Sequence, residues 1–283
     1  MNFVSHQQFR EDLAKWERQL PEFDAVCGVP RSGLIPAAYI ALRRNIPHLH
    51  LGDLYEGAQT AFERSPLRRI NPAVNKPRGS KILIVDDSTS VPGHTLLQIR
   101  ERLKSVEGEF SFGAVYREPG GKAADHVFKD MLKPRMFEWN WFRHYYLRTA
   151  ILDIDGVLCE DWTHRSEVNH DPEFEQHMEN AKPLWLPQIP VLGLATSRIE
   201  RYRPQTEAWL ARHGVQYKFL YMHPAATPEA RRAANDHAKR KSDAYRLHPR
   251  AMLFIESADK QAQQIHAATR RPVLCTDTMK MYA

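Results

Sequence analysis

Two acidic pairs, each at the end of an apolar run, carry the chemistry of this sequence. In the first, Ile82–Val85 leads into Asp86 and Asp87, and the stretch Ser88 to Thr95 supplies hydroxyls, a proline and a glycine. Neighbouring carboxylates at a strand end can hold a divalent ion or accept hydrogen bonds from the diol of a ribose. A small hydroxyl-rich loop that enters a helix N-terminus offers backbone N–H groups to a 5′-phosphate, and Gly93 lets the backbone come close. In the second, Ile151-Leu152 leads into Asp153 and Asp155, with Gly156 immediately after. Carboxylates at this spacing before a glycine turn can point at one place. One then attacks phosphorus to give an aspartyl-phosphate, and the other protonates the leaving oxygen and later activates water. The charge of a phosphoryl group calls for Mg²⁺ and a positive side chain nearby. An acidic pair after a strand is also a plain turn starter. The turn Gly28-Val29-Pro30-Arg31-Ser32-Gly33, one strand–helix–strand unit upstream, favours a site.

The elements that position these groups follow from apolar periodicity. Residues 3–20 read as an amphipathic helix through Phe9, Leu13 and Trp16; Phe23 to Gly28 reads as a strand and Leu34 to Arg44 as a helix. His48 to Leu51 reads as a short strand. Residues 52–80 show little periodicity and read as a long excursion of the kind that covers sites. Lys81 to Val85 is the strand before the first acidic pair, followed by a helix Leu96 to Val106 and a strand Phe110 to Tyr116. From Thr149 a second alternation begins: strands at Pro190–Ala195, Lys218–Met222, Ala251–Ile255 and Pro272–Cys275, helices at Arg203–Arg212, Pro228–Arg246 and Lys260–Thr269. Strand–helix alternation implies mostly parallel sheets. The length of 283 residues suits two domains, with a boundary near Arg143 to Arg148.

VDDSTSVPGHTL resembles the signature of the type I phosphoribosyltransferases, and GVPRSG resembles the same family's pyrophosphate loop. The resemblance implies an α/β domain over residues 1–146 that binds phosphoribosyl pyrophosphate. Arg31, Ser32 and Gly33 would contact the diphosphate, and Asp86 and Asp87 the ribose hydroxyls. Ser88, Thr89, Ser90, Gly93, His94 and Thr95 would form the 5′-phosphate cradle. Arg64, Arg68, Arg69, Lys76 and Arg78 would lie on the catalytic loop, and Val29-Pro30 would be the place for the loop's cis peptide. The phosphate loop is one residue longer than the common pattern, with Val91-Pro92 interrupting it and His94 in place of a small residue. Trp139, Trp141 and Phe142, with Asn140, either stack on a base or pack into a core, and packing is the commoner use of such density.

ILDIDGVL resembles the first motif of the haloacid-dehalogenase-like hydrolases, and the later motifs follow in order. That resemblance implies a Rossmann-like phosphohydrolase domain over 147–283. Asp153, Asp155, Thr196 and Lys241 would be catalytic, with Lys239 the second choice of lysine. Asp153, Asp155, Glu256 and Asp259 would hold Mg²⁺; Glu256 stands where the family more often has Asp. About forty residues separate Gly156 from Thr196, which implies a small cap or none. Arg198, Arg201 and Arg203 read either as phosphate-steering groups or as a solvated face.

Composition bounds the partners. Net charge is +6, spread over both halves rather than gathered in one patch, so nucleic acid is the weaker reading and phosphorylated small molecules the stronger. No apolar run is long enough to span a bilayer, and the N-terminus lacks a signal-type stretch. Cys27, Cys159 and Cys275 form no CxxC, which leaves a reducing cytoplasm as the expected compartment. The expectation is a two-domain α/β enzyme of nucleotide metabolism and a homo-oligomer. It would transfer a phosphoribosyl group from phosphoribosyl pyrophosphate to a nucleobase, and hydrolyse a phosphomonoester through an aspartyl-phosphate. Two rivals remain: a first domain that binds nucleotide or RNA to regulate, and a second that acts on polynucleotide ends.

Overall fold

The computed structural model describes residues 1–67, 80–162 and 172–283. Arg68, Arg69, Lys76 and Arg78, expected on the catalytic loop, lie outside them. Contacts divide the chain into one unit of Asn2 and Val4–Arg135 and another of Met136–Ala283 with Met1 and Phe3. The division falls before the aromatic segment rather than inside it. The physical reason is burial: Met136, Trp141, Tyr146 and Leu147 sit in one apolar cluster with Leu152, Leu194 and Trp209.

The N-terminal unit runs β1 (Asn2–Val4), α1 (His6–Glu17), β2 (Ala25–Gly28), α2 (Leu34–Arg44), β3 (His48–Leu49), α3 (Leu51–Glu56), α4 (Ala58–Arg64), β4 (Lys81–Thr89), α5 (His94–Leu103), β5 (Glu109–Arg117) and β6 (His126–Asp130). Its sheet has the order β3-β2-β4-β5-β6, and its pairs are all parallel. A parallel sheet needs apolar faces on both sides, and the runs Ala25–Cys27 and Ile82–Val85 are fully buried. Ile82 and Ile84 meet Leu96, Ile99 and Leu103 of α5. Gly113 lies so close to Trp16 of α1 and to Leu83 that an added Cβ would stand 3.0 and 3.3 Å from them. Within residues 52–64, expected as part of the excursion, the chain forms α3 and α4 on either side of Gly57 instead. Leu54, Ala58, Ala61 and Phe62 bury a small apolar face there.

After β7 (Arg135–Phe137), the C-terminal unit contains β8 (Ala150–Leu152), α6 (Pro172–Asn180), β9 (Gly193–Ile199), α7 (Arg203–Arg212), β10 (Leu220–His223), α8 (Pro228–Ala234), α9 (His237–Leu247), β11 (Leu253–Glu256), α10 (Asp259–Thr269), β12 (Val273–Cys275) and β13 (Lys280–Tyr282). The sheet order is β10-β9-β8-β11-β12-β13. Its pairs are parallel except at β13, which closes one edge against β12. The single helix expected over Pro228–Arg246 breaks at Asn235, whose φ of 44° is the left-handed conformation that asparagine tolerates. Both units are therefore mixed α/β with parallel sheets. No helix among the described residues is long and apolar enough to cross a membrane.

Candidate active sites

In the N-terminal unit the glycine-bounded turn is welded to the strand that bears the acidic pair. The Val29 N–H donates to the Val85 carbonyl at 2.9 Å. A Cβ on Gly33 would lie 2.6 Å from that same carbonyl oxygen. The turn thus packs beside Asp86, with Arg31 exposed, Ser32 half-buried and Gly33 buried. The cis peptide of the turn is Pro30–Arg31, not Val29–Pro30. α2 starts from Gly33 and α5 from Gly93, and neither has a side-chain cap. α1, by contrast, is capped by Ser5, whose Oγ accepts from the Gln8 N–H at 3.1 Å. In α2 the Leu34 and Ile35 N–H groups already donate to the Arg31 and Ser32 carbonyls, at 3.2 and 3.1 Å, and Pro36 has none. At α5 the first-turn N–H groups, uncapped by any side chain, are the ones that an anion can take. Gly93 has φ 60°, and a Cβ there would stand 2.2 Å from that of Ala123, so no larger residue keeps this turn.

β4 does not stop at Val85. It continues through Asp86 and Asp87 to Thr89, because β5 is long enough to pair it as far as Arg117. The 5′-phosphate cradle read as Ser88–Thr95 is therefore part strand and part loop. Thr89 is buried and its Oγ1 donates to the Ser90 carbonyl at 3.4 Å, while His94 and Thr95 are exposed. Asp87 is buried beside Tyr116, whose hydroxyl donates to Asp12 Oδ2 at 2.7 Å. Arg64 is held by Asp53 and Glu56, each at 2.8 Å.

Burial, with the Asp87 charge beside it, pushes the Asp86 carboxyl up to about 8. A carboxyl whose folded pKa exceeds its unfolded value, near 4, stabilises the fold fully below that lower value. Its contribution is lost as pH rises through the folded pKa. Asp86 should therefore give the N-terminal unit a stability that falls between about pH 4 and about pH 8, by at most about 1.4 kcal/mol per pH unit. Asp86→Asn should flatten that slope in urea titrations across this range. An identical slope in the variant would rule Asp86 out as its source.

In the C-terminal unit, β8, β9 and β11 carry the expected residues to one region. Lys241, from α9, reaches in with its Nζ 2.6 Å from Asp153 Oδ2, 2.6 Å from Glu256 Oε2 and 3.1 Å from Gln261 Oε1. Lys241, Asp153 and Glu256 are each at least 95% buried. Burial pushes Asp153 up to about 8; Lys241 opposes this, and the Glu256 and Asp155 charges add to it. Burial would lower Lys241, but the two carboxylates outweigh it and keep the ammonium charged. Glu256 Oε1 also accepts the Ser257 and Ala258 N–H groups, at 3.1 and 3.2 Å.

Asp155 has a different partner. Arg198, 3% exposed, grips both its oxygens: Nε lies 3.1 and 3.0 Å from them and Nη2 2.6 Å from Oδ1. The same guanidinium reaches Thr206 Oγ1 at 3.3 Å and Cys159 Sγ at 3.4 Å. Thr196 Oγ1 accepts the Arg198 N–H at 3.2 Å. Burial alone would raise Asp155, yet the Arg198 charge and hydrogen bonds hold it below the usual carboxylate range. Arg198 is thus neither a solvated residue nor a free phosphate-steering group. Arg203 pairs with Glu200 and Glu207.

The four carboxylates expected to hold Mg²⁺ do not converge. Asp153 and Glu256 share the Lys241 ammonium, Asp155 belongs to Arg198, and Asp259 accepts from Tyr282, Thr278 and Gln263. Among the described residues no group of three or more His, Cys, Asp or Glu side chains is arranged for a metal ion. The donor set fits an internal salt-bridge network, not a resident divalent ion.

Two histidines absent from the sequence reading also line the cleft with Thr196 and Lys241. His237 Nδ1 lies 3.0 Å from Ser197 Oγ. His223 accepts the Ala225 N–H at Nδ1, so its other nitrogen carries the proton toward Asp236, 2.9 Å away. Neither sits at a recognisable spacing. Trp141 is core, 2% exposed, and Trp139 stacks on Phe137 with centroids 4.9 Å apart. Cys27 and Cys159 are buried, and burial pushes their thiols up, as for inert fillers.

No family model matches the chain. A curated xanthine-guanine phosphoribosyltransferase of Idiomarina loihiensis is 28% identical over 150 residues, which are 51% of this chain and 88% of that protein. Among solved structures, the Helicobacter pylori xanthine-guanine-hypoxanthine phosphoribosyltransferase is 17% identical, with 49% of this chain and 91% of that one covered and a TM-score of 0.37. The purine phosphoribosyltransferase of Pyrococcus horikoshii is 19% identical, with 49% and 92% covered and a TM-score of 0.36. The N-terminal half of the chain has a phosphoribosyltransferase-like fold of type I.

Proposed function

We propose that the N-terminal unit transfers a phosphoribosyl group from phosphoribosyl pyrophosphate to a purine base. The observation that carries this reading is the glycine-bounded turn Gly28–Gly33 packed on Val85, next to the acidic pair, with the uncapped N-terminus of α5 following the same strand. Arg31, Ser32 and Gly33 face the diphosphate, and the Ser90–Thr95 turn takes the 5′-phosphate. Asp86, whose carboxyl burial pushes up to about 8, and Asp87 offer adjacent carboxyl oxygens to the ribose diol. A ring nitrogen of the base attacks ribose C1, the bond from C1 to the diphosphate oxygen breaks, and the proton on the base nitrogen leaves to water. The purine preference rests on the relatives' substrates. The full chain, given phosphoribosyl pyrophosphate, Mg²⁺ and guanine, xanthine, hypoxanthine or adenine in turn, should release diphosphate and form the matching nucleoside monophosphate. Absence of diphosphate with all four bases would defeat the proposal.

A second reading concerns the C-terminal unit. β8 lies between β9 and β11, which places Asp153, Thr196 and Glu256 on adjacent strands with Lys241 among them. This is the motif order of the haloacid-dehalogenase-like hydrolases. It supports Asp153 as a nucleophile toward a phosphomonoester once a phosphoryl group draws Lys241 and Thr196 onto its oxygens. Phosphate release from a nucleoside monophosphate should survive in Asp86→Asn and vanish in Asp153→Asn. Equal release by both variants would assign it elsewhere.

A further inference from the structure

Glu118 has a place in the phosphate loop that phosphoribosyl transfer does not call for. After β5 the chain turns through Glu118–Gly121 alongside Ser90. The Glu118 N–H donates to the Thr89 carbonyl at 2.9 Å, and the Gly121 N–H to the Glu118 carbonyl at 3.0 Å. The Glu118 side chain then folds back, and its Oε2 accepts the Val91 backbone N–H at 3.0 Å. The Lys133 ammonium lies 2.9 Å from the same oxygen. Arg135, 7% exposed, secures the root of the loop by donating from Nη2 to the Thr89 carbonyl at 2.9 Å.

Val91 belongs to the Val91-Pro92 interruption that lengthens this loop, and its N–H lies just ahead of α5. A backbone N–H there is the kind of donor that a phosphate oxygen takes. A carboxylate oxygen already occupies it, backed by a lysine, at an open surface where Val91 is 47% exposed. The geometry points to Glu118 as a resident anion of the phosphate loop. It positions the longer loop in the empty protein and must yield the Val91 N–H when a phosphate binds. Glu118 is a positioning residue, and its charge weakens phosphate binding. The inference rests on the reading of this loop as the 5′-phosphate site.

Binding of inorganic phosphate and of phosphoribosyl pyrophosphate to the full chain, measured by calorimetry, tests this. Glu118→Gln keeps an acceptor for Val91 but removes the charge, so both anions should bind about three- to tenfold tighter. The KM for phosphoribosyl pyrophosphate should fall with kcat nearly unchanged. Glu107→Gln, an equal charge change on an exposed residue in the bend before β5, should leave both affinities alone. In the wild-type amide spectrum, phosphate should move the Val91 resonance in the same direction as the Glu118→Gln change does. Unchanged or weaker binding in Glu118→Gln, equal tightening in Glu107→Gln, or phosphate binding by neither protein would overturn the inference. Tighter phosphate binding without diphosphate release from any base would uphold it and sink the transferase reading. Diphosphate release with KM unchanged in Glu118→Gln would do the reverse.

Discussion

Replacing Lys241 with methionine should lower the melting temperature of the C-terminal unit by about 6–20 °C. The ammonium is the shared partner of Asp153 and Glu256, at 2.6 Å from each, and all three groups are shut away from water. Removing one member of a buried ionic set leaves charge that nothing compensates, at about 3–5 kcal/mol. One kcal/mol moves the melting point of a domain of this size by about 2–4 °C. Part of the loss should return when Glu256→Gln is added, since one of the stranded carboxylates is then gone. The double variant isolates charge from packing: methionine fills much the same volume as the lysine stem, so a packing defect would not be relieved by altering Glu256. Calorimetry of the wild type and both variants at one pH would decide. A melting point within about 2 °C of wild type in Lys241→Met would mean that this ionic set does not hold the unit together.

The residues around Lys241 were legible in sequence because each closes or follows an apolar run, and a parallel sheet gathers such ends at one edge. That logic finds Asp153; Thr196 and Glu256 follow from the resemblance to the later motifs, and neither route says where the carboxyls and hydroxyls turn. Asp259 is the clear case. It opens α10 as the motif order requires, yet its oxygens accept from Thr278, in the turn before β13, and from Tyr282 on β13, a strand that no apolar run announces. Arg198 was visible only as one of several arginines after Thr196. Its clamp on Asp155 depends on Cys159 and Thr206, which no local pattern links to it. The acidic pair Asp86-Asp87 reads as the start of a loop because charged residues are depleted in strands. The length of β5 overrides that, through a pairing about thirty residues away in sequence. The aromatic run at 137–146 announced burial, but its partners Leu152, Leu194 and Trp209 decide which core receives it.

Two glycine-to-alanine substitutions in the N-terminal unit should have opposite signs. Gly52 lies in α3 with nothing within 4 Å of an added Cβ. Alanine there removes backbone freedom from the unfolded chain and should stabilise by about 0.5–1 kcal/mol. At Gly33 the added Cβ would stand 2.5 Å from the Val29 carbonyl oxygen, 2.6 Å from that of Val85 and 2.8 Å from the Val29 nitrogen. All three are backbone atoms, so no rotamer change relieves the contact. The turn must pull away from β4, breaking the 2.9 Å bond from Val29 to Val85. We expect Gly33→Ala to cost about 2–3 kcal/mol and to lose phosphoribosyl pyrophosphate binding, because Arg31 and Ser32 move with the turn. Urea titrations of the two variants, with calorimetric titration of the ligand, provide the check. If Gly33→Ala proved as stable as Gly52→Ala and still bound phosphoribosyl pyrophosphate, the turn would not be packed on the acidic strand. The diphosphate would then have to bind elsewhere.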